Sequence, residues 1–210
     1  MDYQTKNFLF LEAEPQDKTV TQPVLIYLHG FLSAPASEKA QETIAWMQAN
    51  RPDIELIVPA IANTPDKAAP QLLEIAESVK DRQVGLIGSS MGGFFSAWLS
   101  AQYGFKAALI NPGTYIADLL QNYIGEHENM YSGERFTLTA EHVELLREYA
   151  QLEPDQANLK VLLQTGDETL DYRDALKRFP DALITVEEGG NHRFEGYKDH
   201  LPDIIEFLGL

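Results

Sequence analysis

Ser90 stands in a pentapeptide that can turn a serine hydroxyl into a nucleophile. The segment Gly88-Ser89-Ser90-Met91-Gly92 fits the pattern G-x-S-x-G, with Ser90 at its centre. In this pattern the serine occupies a strand-to-helix turn so sharp that side chains at Gly88 and Gly92 would clash. The helix N-terminus behind the serine favours developing negative charge. The simpler alternative is a glycine-rich crossover without chemistry, and this register points Ser89 away from the site.

A histidine that could activate this serine lies in the segment Glu188-Gly189-Gly190-Asn191-His192. The segment follows the last apolar run and precedes the final helical pattern, so a glycine-rich loop there can bring an imidazole over the nucleophile. A plain surface histidine is the alternative for His192. The polar surroundings of three other histidines are more typical of surface residues than of bases: His127, His142 and His200.

A catalytic histidine also needs a carboxylate that orients it, and the candidates follow the penultimate apolar run. Asp167 is nearest to the end of that run, in an Asp-x-x-Leu turn, and is favoured. Glu168 and Asp171 remain alternatives, although Asp171 also fits the N-cap of the next helix. The chain order Ser90, Asp167, His192 is the order expected for an α/β-hydrolase.

Two backbone N–H groups are expected to bind an oxyanion. One belongs to Met91, directly after Ser90, and the other to Phe31, in the loop after the first central strand, where Gly30 lets the backbone turn. Each such donor typically contributes about 2.7–4 kcal/mol to transition-state stabilisation. We expect His29 to pack beneath this loop and to bond backbone groups, so that its role is structural.

Alternating strand and helix patterns must position these residues. The strand candidates are near-continuous apolar runs, as in strands that are buried on both faces of a parallel sheet. They are residues 24–28, 54–58, 84–87, 107–110, 159–163 and 182–186. Helical patterns lie at residues 37–49, 66–80, 91–102, 172–179 and 198–208. This repetition predicts a doubly wound α/β sheet with right-handed crossovers, and residues 6–12 are a candidate for an added edge strand.

The interval between Asn111 and Leu159 contains no strand candidate and two helical patterns that flank a polar stretch. It predicts a helical cap insertion at about residues 113–158, within a single domain of residues 1–210. Ligands of open α/β sheets bind outside the carboxyl ends of the strands, which favours a cap over a crossover that only covers the core. Five aromatic residues either line an acyl pocket or pack this cap: Tyr115, Tyr123, Tyr131, Phe136 and Tyr149.

Composition excludes several classes of function. The chain has 210 residues, of which 16 are basic and 32 acidic, so its formal net charge is −16. Such a protein repels phosphate backbones and anionic lipids, and neither nucleic acid nor membrane is expected as a partner. Residues 113–158 carry nine acidic and two basic side chains, a net charge of −7. The absence of cysteine excludes thiol nucleophiles, disulfides and thiolate metal sites.

Further motifs point to no cofactor and no metal. The sequence has no G-x-G-x-x-G or Walker pattern, and no paired-histidine spacing suggests a metal site. The apolar run from Phe8 to Leu11 is too short for the core of a signal peptide, and no stretch approaches the roughly 18 apolar residues of a membrane span. A cytoplasmic protein is therefore expected.

The motifs together resemble a known family. They are Tyr27-Leu28-His29-Gly30-Phe31, Gly88-Ser89-Ser90-Met91-Gly92-Gly93, Asn111-Pro112, Gly166-Asp167-Glu168-Thr169-Leu170-Asp171-Tyr172-Arg173 and Glu188-Gly189-Gly190-Asn191-His192. In combination, from about Val24 onward, they resemble the small bacterial YqiA-type esterases of the α/β-hydrolase superfamily. The resemblance implies an esterase with a triad of Ser90, Asp167 and His192. It also implies action on short acyl esters, with acyl-CoA thioesters as a further substrate class.

These observations predict a serine carboxylic-ester hydrolase that forms an acyl-enzyme and takes a small acyl ester as its substrate. Acyl-CoA is less favoured because CoA is multiply anionic and the insertion is acidic. Two alternatives keep the fold and differ in function. One uses the triad for elimination or C–C cleavage, and the other is a non-catalytic binding protein.

Overall fold

The computed structural model describes residues 8–10 and 22–210, and these residues form nine strands. The strands are β1 (Phe8–Phe10), β2 (Val24–Leu28), β3 (Glu55–Pro59), β4 (Val84–Ser89), β5 (Lys106–Ile110), β6 (Gly125–Glu128), β7 (Arg135–Leu138), β8 (Leu159–Gln164) and β9 (Leu183–Glu187). Seven of them make one sheet in the order β1-β3-β2-β4-β5-β8-β9, and β6 and β7 make a separate hairpin. In the large sheet β1 is antiparallel to β3, and the six other strands run parallel.

Seven α-helices accompany these strands in the described part of the chain. They are α1 (Glu38–Asn50), α2 (Pro65–Val79), α3 (Met91–Tyr103), α4 (Ile116–Leu120), α5 (Ala140–Tyr149), α6 (Tyr172–Arg178) and α7 (Leu201–Leu208). Short 3-10 turns are Gln121–Tyr123, Gln156–Asn158 and Tyr197–His200. Within residues 22–210, none of these helices combines the length and the apolar character that crossing a bilayer requires.

Helices cover both faces of the sheet, and β2 shows how the chain divides between them. Val24, Ile26 and Leu28 belong to one apolar cluster, together with residues of α2 and α3. Leu25 and Tyr27 belong to a second cluster, together with residues of α1 and α7. Successive side chains of a strand point to opposite faces, so an apolar residue at every position is what a doubly covered strand needs.

The predicted doubly wound α/β sheet is confirmed. Each of the six apolar runs forms a parallel strand whose ends lie within two residues of the predicted ones. The edge-strand candidate, residues 6–12, contains β1, which extends the sheet beside β3. The other residues of that candidate lie outside the described part of the chain. The predicted helices are also present, and the last of them begins as a 3-10 turn before α7.

The insertion between β5 and β8 differs from the prediction in one respect. It contains α4 and α5, but the stretch between them forms the β6–β7 hairpin, so the insertion is mixed rather than helical. Each of these strands is four residues long, exposed positions alternate with less exposed ones, and the only large apolar residues in the two strands are Phe136 and Leu138 of β7. Only one side of the hairpin is partly buried, so its strands carry few apolar residues. The apolar pattern of the sequence therefore did not predict the hairpin.

Asn129, just after β6, fixes the tip of this hairpin to the core. Its side chain is buried, and its Nδ2 donates to the Ser33 carbonyl at 3.1 Å and to Asn63 Oδ1 at 2.8 Å. Its Oδ1 accepts the Tyr131 N–H at 2.9 Å. Asn63 in turn donates to Glu134 Oε2 at 2.7 Å. The hairpin tip is thereby held against the loops that follow β2 and β3.

We expect the substitution Asn129→Ala to lower the free energy of unfolding by about 1–3 kcal/mol, because it leaves buried partners without hydrogen bonds. Urea denaturation measures this change. Met130→Ala is the matched control, since Met130 is the next residue and is 84% exposed, so its loss should change stability by less than about 0.5 kcal/mol. Equal stabilities of the two variants would contradict an anchoring role for Asn129.

Candidate active site

Ser90 occupies a strained turn between β4 and α3. Its backbone angles are φ 56° and ψ −120°, a conformation that residues other than glycine rarely adopt. Its N–H donates to the Ile110 carbonyl at 3.1 Å, and its own carbonyl accepts the N–H groups of Gly93 at 2.9 Å and Gly113 at 3.0 Å. Hydrogen bonds from both sides thus hold the serine in this conformation.

Two flanking glycines make the turn sterically feasible. A Cβ atom at Gly88 would lie 2.2 Å from the Gly92 carbonyl oxygen. A Cβ atom at Gly92 would lie 2.0 Å from the Leu28 carbonyl oxygen, at the end of β2. These distances explain why both positions of the G-x-S-x-G pattern are glycine, since a side chain at Gly88 would push α3 away from β4 and one at Gly92 would push it away from β2.

A continuous chain of hydrogen bonds connects the serine, the histidine and the aspartate that the sequence singled out. His192 Nε2 lies 3.0 Å from Ser90 Oγ, and His192 Nδ1 lies 2.8 Å from Asp167 Oδ2. The Asp167 side chain is 2% exposed and that of His192 is 22% exposed. With Nδ1–H donating to the carboxylate, Nε2 is left to accept the serine proton.

The three candidate carboxylates make different contacts in the structure. Asp167 Oδ1 accepts the N–H groups of Thr169 and Leu170, each at 2.8 Å, which fixes the carboxylate that faces His192. Asp171 caps α6 instead, and the Arg173 guanidinium beside it lowers the pKa of Asp171 to about 2.

Glu168 acts on the backbone of the histidine loop rather than on the imidazole ring. Its Oε2 accepts the His192 N–H at 3.0 Å, and this hydrogen bond holds the pKa of the Glu168 carboxyl below its usual range. The sequence had offered Glu168 only as a rival to Asp167. Its contact instead stabilises the position of the loop.

Two buried amides that were not predicted as site residues support the same loop. Asn111, with φ 40°, donates to the Asn191 carbonyl at 3.0 Å and accepts the Gln164 N–H at 3.0 Å. Gln164 Oε1 accepts the N–H groups of Asn191 at 3.2 Å and Glu195 at 2.9 Å. Each amide follows or ends an apolar run, and a polar residue at that point is the signal that could have revealed it.

His29, expected to pack beneath the loop after β2, is buried there and bonds backbone groups on both sides of its ring. It is 3% exposed, its Nε2 accepts the Ile61 N–H at 3.1 Å, and its Nδ1 lies 3.0 Å from the Gly30 carbonyl. Burial lowers the pKa of His29, so the ring is neutral and Nδ1–H is the donor to Gly30. The ring therefore ties the loop after β2 to the loop after β3.

The two backbone donors predicted for an oxyanion flank Ser90. Met91 is the first residue of α3, where helix N–H groups have no intrahelical acceptor. Phe31 follows Gly30, whose added Cβ would lie only 3.3 Å from Ser90 Cβ. No acceptor for either N–H is found within residues 22–210. Both donors are thus available to a ligand atom beside the serine.

A cleft of about 230 Å³ opens at this point, lined by Ser90, His192, Phe31, Tyr131 and Lys39 among others. Its walls come from three sources, which are the loops at the carboxyl ends of the strands, the start of α1 and the tip of the β6–β7 hairpin. The insertion thus contributes directly to the cleft, as a cap would.

The aromatic residues of the insertion divide between the two predicted roles. The Phe31 ring packs edge-on against Tyr123 at 6.5 Å, His127 at 5.8 Å and Phe136 at 6.1 Å between ring centroids. His127, expected on the surface, therefore packs against the loop beside the serine. Tyr149 packs on Trp98 in the core. Tyr131 lines the cleft, while Tyr115 is 49% exposed.

The remaining histidines lie elsewhere. His142 completes the N-cap of α5 with Thr139 and lies 3.2 Å from Asp66. His200 pairs with Glu187 at 3.0 Å. Neither contacts Ser90, in agreement with the prediction that they are not bases.

A family model described as "Uncharacterised protein family (UPF0227)" matches residues 24–209, which is most of the chain. The chain belongs to the UPF0227 family. These are the YqiA-type proteins, so the resemblance found in the motifs is confirmed.

Solved structures of low identity share the fold of this UPF0227 protein. Est1E from Butyrivibrio proteoclasticus has a TM-score of 0.68 at 14% identity, covering 96% of this chain and 97% of that one. Alpha/beta hydrolase domain-containing protein 10 from mouse has a TM-score of 0.66 at 17% identity, covering 96% and 99%. The esterase Pf2001 from Pyrococcus furiosus has a TM-score of 0.56 at 14% identity, covering 89% and 81%. The likeness establishes an α/β-hydrolase fold.

The steric demand at Gly92 gives a direct test of the turn. We expect Gly92→Ala to lower the free energy of unfolding by about 1–3 kcal/mol, because the new methyl group overlaps the Leu28 carbonyl. Ser100→Ala on the same helix is the control. The Ser100 hydroxyl is buried and has no partner in the described part of the chain, so its removal should be neutral or stabilising. Urea denaturation measures the free energy of unfolding of both variants. An unchanged stability of Gly92→Ala would refute the steric argument.

The neutral state of His29 gives a pH-dependent prediction. Its pKa is lowered from 6.5, so the unfolded chain binds a proton more readily than the folded chain. The stability that neutral His29 contributes is complete above about pH 6.5 and is lost as the pH falls below it. An NMR titration should show the His29 ring in its neutral form at pH 6.5. A midpoint at or above pH 6.5 would contradict the burial argument.

Proposed function

We propose that this protein is a serine carboxylic-ester hydrolase with Ser90, His192 and Asp167 as its catalytic triad. The observation that carries the proposal is the hydrogen-bonded chain from Ser90 Oγ through both ring nitrogens of His192 to Asp167, which opens on a cleft. The structural neighbours include proteins that are named esterases, which supports the same reaction class.

Acylation follows from the positions of these groups. Ser90 Oγ forms a bond to the acyl carbon while its proton passes to His192 Nε2, and the carbonyl electron pair moves onto the oxygen. The N–H groups of Phe31 and Met91 hold this oxyanion. When the carbonyl re-forms, the bond to the leaving alcohol breaks, and His192 gives its proton to the alcohol oxygen.

Deacylation repeats the same proton transfers with water. His192 Nε2 takes a proton from a water molecule as the water oxygen attacks the acyl-enzyme. The bond to Ser90 Oγ then breaks, the proton returns to the serine, and the carboxylic acid leaves. Asp167 stays ionised and stabilises the imidazolium in both halves. The residues of the chain and water supply every group that the two steps use.

The strain at Ser90 argues against a non-catalytic binding protein. A sparsely populated backbone conformation with positive φ at a residue other than glycine costs about 1–3 kcal/mol and persists where the surrounding structure enforces it, typically at functional sites. Cleavage of an acyl-CoA thioester, elimination and C–C cleavage could use the same triad, because the pocket and not the fold decides the substrate. An ester hydrolysis that depends on Ser90 separates hydrolysis from elimination and from binding alone.

The test measures initial rates on p-nitrophenyl esters of increasing acyl length. Ser90→Ala should reduce kcat by about 10⁴-fold to 10⁶-fold, and Asp167→Asn by about 10⁴-fold, because the amide favours the wrong tautomer of His192. The best acyl length measures the space that the cleft offers. A Ser90→Ala variant that is as active as the wild type would exclude the mechanism.

Two matched controls accompany these variants. Asp171→Asn should keep kcat within a few-fold, because Asp171 caps α6 and does not contact His192. Ser89 lines the cleft, but its hydroxyl makes no hydrogen bond to His192 within residues 22–210, so Ser89→Ala should likewise keep kcat within a few-fold. If Asp171→Asn were as damaging as Asp167→Asn, the assignment of the orienting carboxylate would be wrong.

A further inference from the structure

The cleft beside Ser90 carries two cations although the chain has a formal net charge of −16. Lys39, the second residue of α1, and Arg193, the residue after His192, both line it. Glu38 is the carboxylate among the lining residues. Apart from the imidazole, the lining is therefore net positive by one charge.

Lys39 has hydrogen-bonding capacity that its surroundings do not use. Its Nζ donates to the Arg193 carbonyl at 2.6 Å, which leaves two of the three ammonium N–H groups for other acceptors. Within residues 22–210, no carboxylate oxygen lies within 4.0 Å of Nζ. Burial lowers the pKa of Lys39 to about 8, against the opposing influence of Glu42, Glu38 and Asp167. An anion at this place would provide the partner that Lys39 lacks.

Arg193 can reorient toward such an anion. Its side chain is 83% exposed, and its nearest carboxylate oxygen, on Glu38, lies 3.6 Å away and is itself on a side chain that is 70% exposed. Exposed ion pairs of this kind contribute little, so the guanidinium is readily recruited by a ligand. Planar guanidinium groups bind carboxylate and phosphate oxygens in bidentate fashion.

Lys39 and Arg193 lie near His192, the residue that would protonate the leaving alcohol of the substrate. In the proposed ester hydrolysis, His192 Nε2 gives its proton to the leaving alcohol, so the alcohol lies on the His192 side of Ser90. Arg193 directly follows His192, and Lys39 bonds the carbonyl of Arg193. This adjacency to His192 favours the leaving-group side of the cleft as the place where the two cations act.

We propose that Lys39 and Arg193 bind an anionic group, a carboxylate or a phosphate, on the leaving alcohol of the ester. The inference rests on the proposed esterase function and narrows its substrate class. The anion takes no part in bond making: the acyl–oxygen bond breaks, the alcohol oxygen receives the proton of His192, and the alcohol departs with its anionic group unchanged.

This inference revises the expectation, drawn from the sequence, that a substrate with an anionic leaving group such as CoA is less favoured. That expectation rested on the net charge of −7 in the insertion. Exposed charges farther from a ligand than about 8 Å are largely screened at physiological ionic strength, whereas a half-buried ammonium in the cleft is screened much less. The cations that line the cleft are therefore expected to outweigh the carboxylates of the insertion, none of which is among its lining residues.

The test compares two acetyl esters that differ only in the charge of the leaving group, 4-acetoxybenzoate and 4-acetoxybenzamide. After correction for the hydroxide-catalysed rates, we expect kcat/KM to be about tenfold higher for the carboxylate at low salt, and the ratio to fall as salt is added. The phosphate analogue, 4-acetoxyphenyl phosphate, shows which of the two anions the site prefers.

Single variants assign the effect to the two side chains. Lys39→Gln and Arg193→Gln should each lower the carboxylate-to-carboxamide ratio of kcat/KM by about fivefold to tenfold. Arg193 is so exposed that its replacement does not threaten folding. Lys80→Gln is the control for net charge, because Lys80 follows the C-terminal end of α2, near the amino-terminal ends of the parallel strands and away from the cleft, and should leave the ratio unchanged.

A second ester pair, monomethyl glutarate and methyl glutaramate, carries the charge on the acyl side. A preference for the acid in this pair alone would overturn the placement on the leaving group. Equal kcat/KM values within both pairs, with turnover that still requires Ser90, would overturn the subsite and leave the proposed function standing. Absence of Ser90-dependent turnover with all of these esters would overturn both.

Discussion

The backbone strain at Ser90 is held by close packing, and the rest of the site depends on that packing. Because Gly92 has no side chain, the start of α3 lies directly against the Leu28 carbonyl at the end of β2. The same packing brings Gly30 close to Ser90, because a Cβ atom added at Gly30 would lie 3.7 Å from Ser90 Oγ. A conformation that costs about 1–3 kcal/mol is thereby maintained, and one helix–strand contact fixes the turn that carries the proposed nucleophile.

The order of the parallel strands determines which residues surround Ser90 and the His192 loop. Ser90 follows β4, Asn111 follows β5, Gln164 ends β8 and His192 lies beyond β9, so neighbouring strands deliver neighbouring groups. The buried amides of Asn111 and Gln164 bond the backbone around His192 rather than its ring. A glycine-rich loop is thus held in one conformation by polar groups that the sheet itself keeps rigid, which an imidazole between two hydrogen-bond partners requires.

Much of this arrangement could be predicted from the sequence, because the signals are local. Continuous apolar runs predict buried parallel strands, and the G-x-S-x-G pattern predicts the turn at Ser90. The β6–β7 hairpin was missed since its short strands are mostly polar. The contact between Asn129 and Asn63 joins residues 66 positions apart, and that between Lys39 and Arg193 joins residues 154 apart. No local sequence pattern predicts contacts between residues so far apart in the chain, and they are found only in the folded structure.

The anchoring of the hairpin tip by Asn129 has a consequence for how substrates are selected. The wall of the cleft that carries Tyr131 is ordered by hydrogen bonds within the chain, so its order does not depend on a bound molecule. The protein then loses little conformational entropy when a ligand binds, and the ligand meets a cleft whose shape is already fixed. In the proposed ester hydrolysis, competing esters would then be distinguished by the fixed shape of the cleft, and an ester that is too large would be rejected at encounter instead of being accommodated by a moving wall.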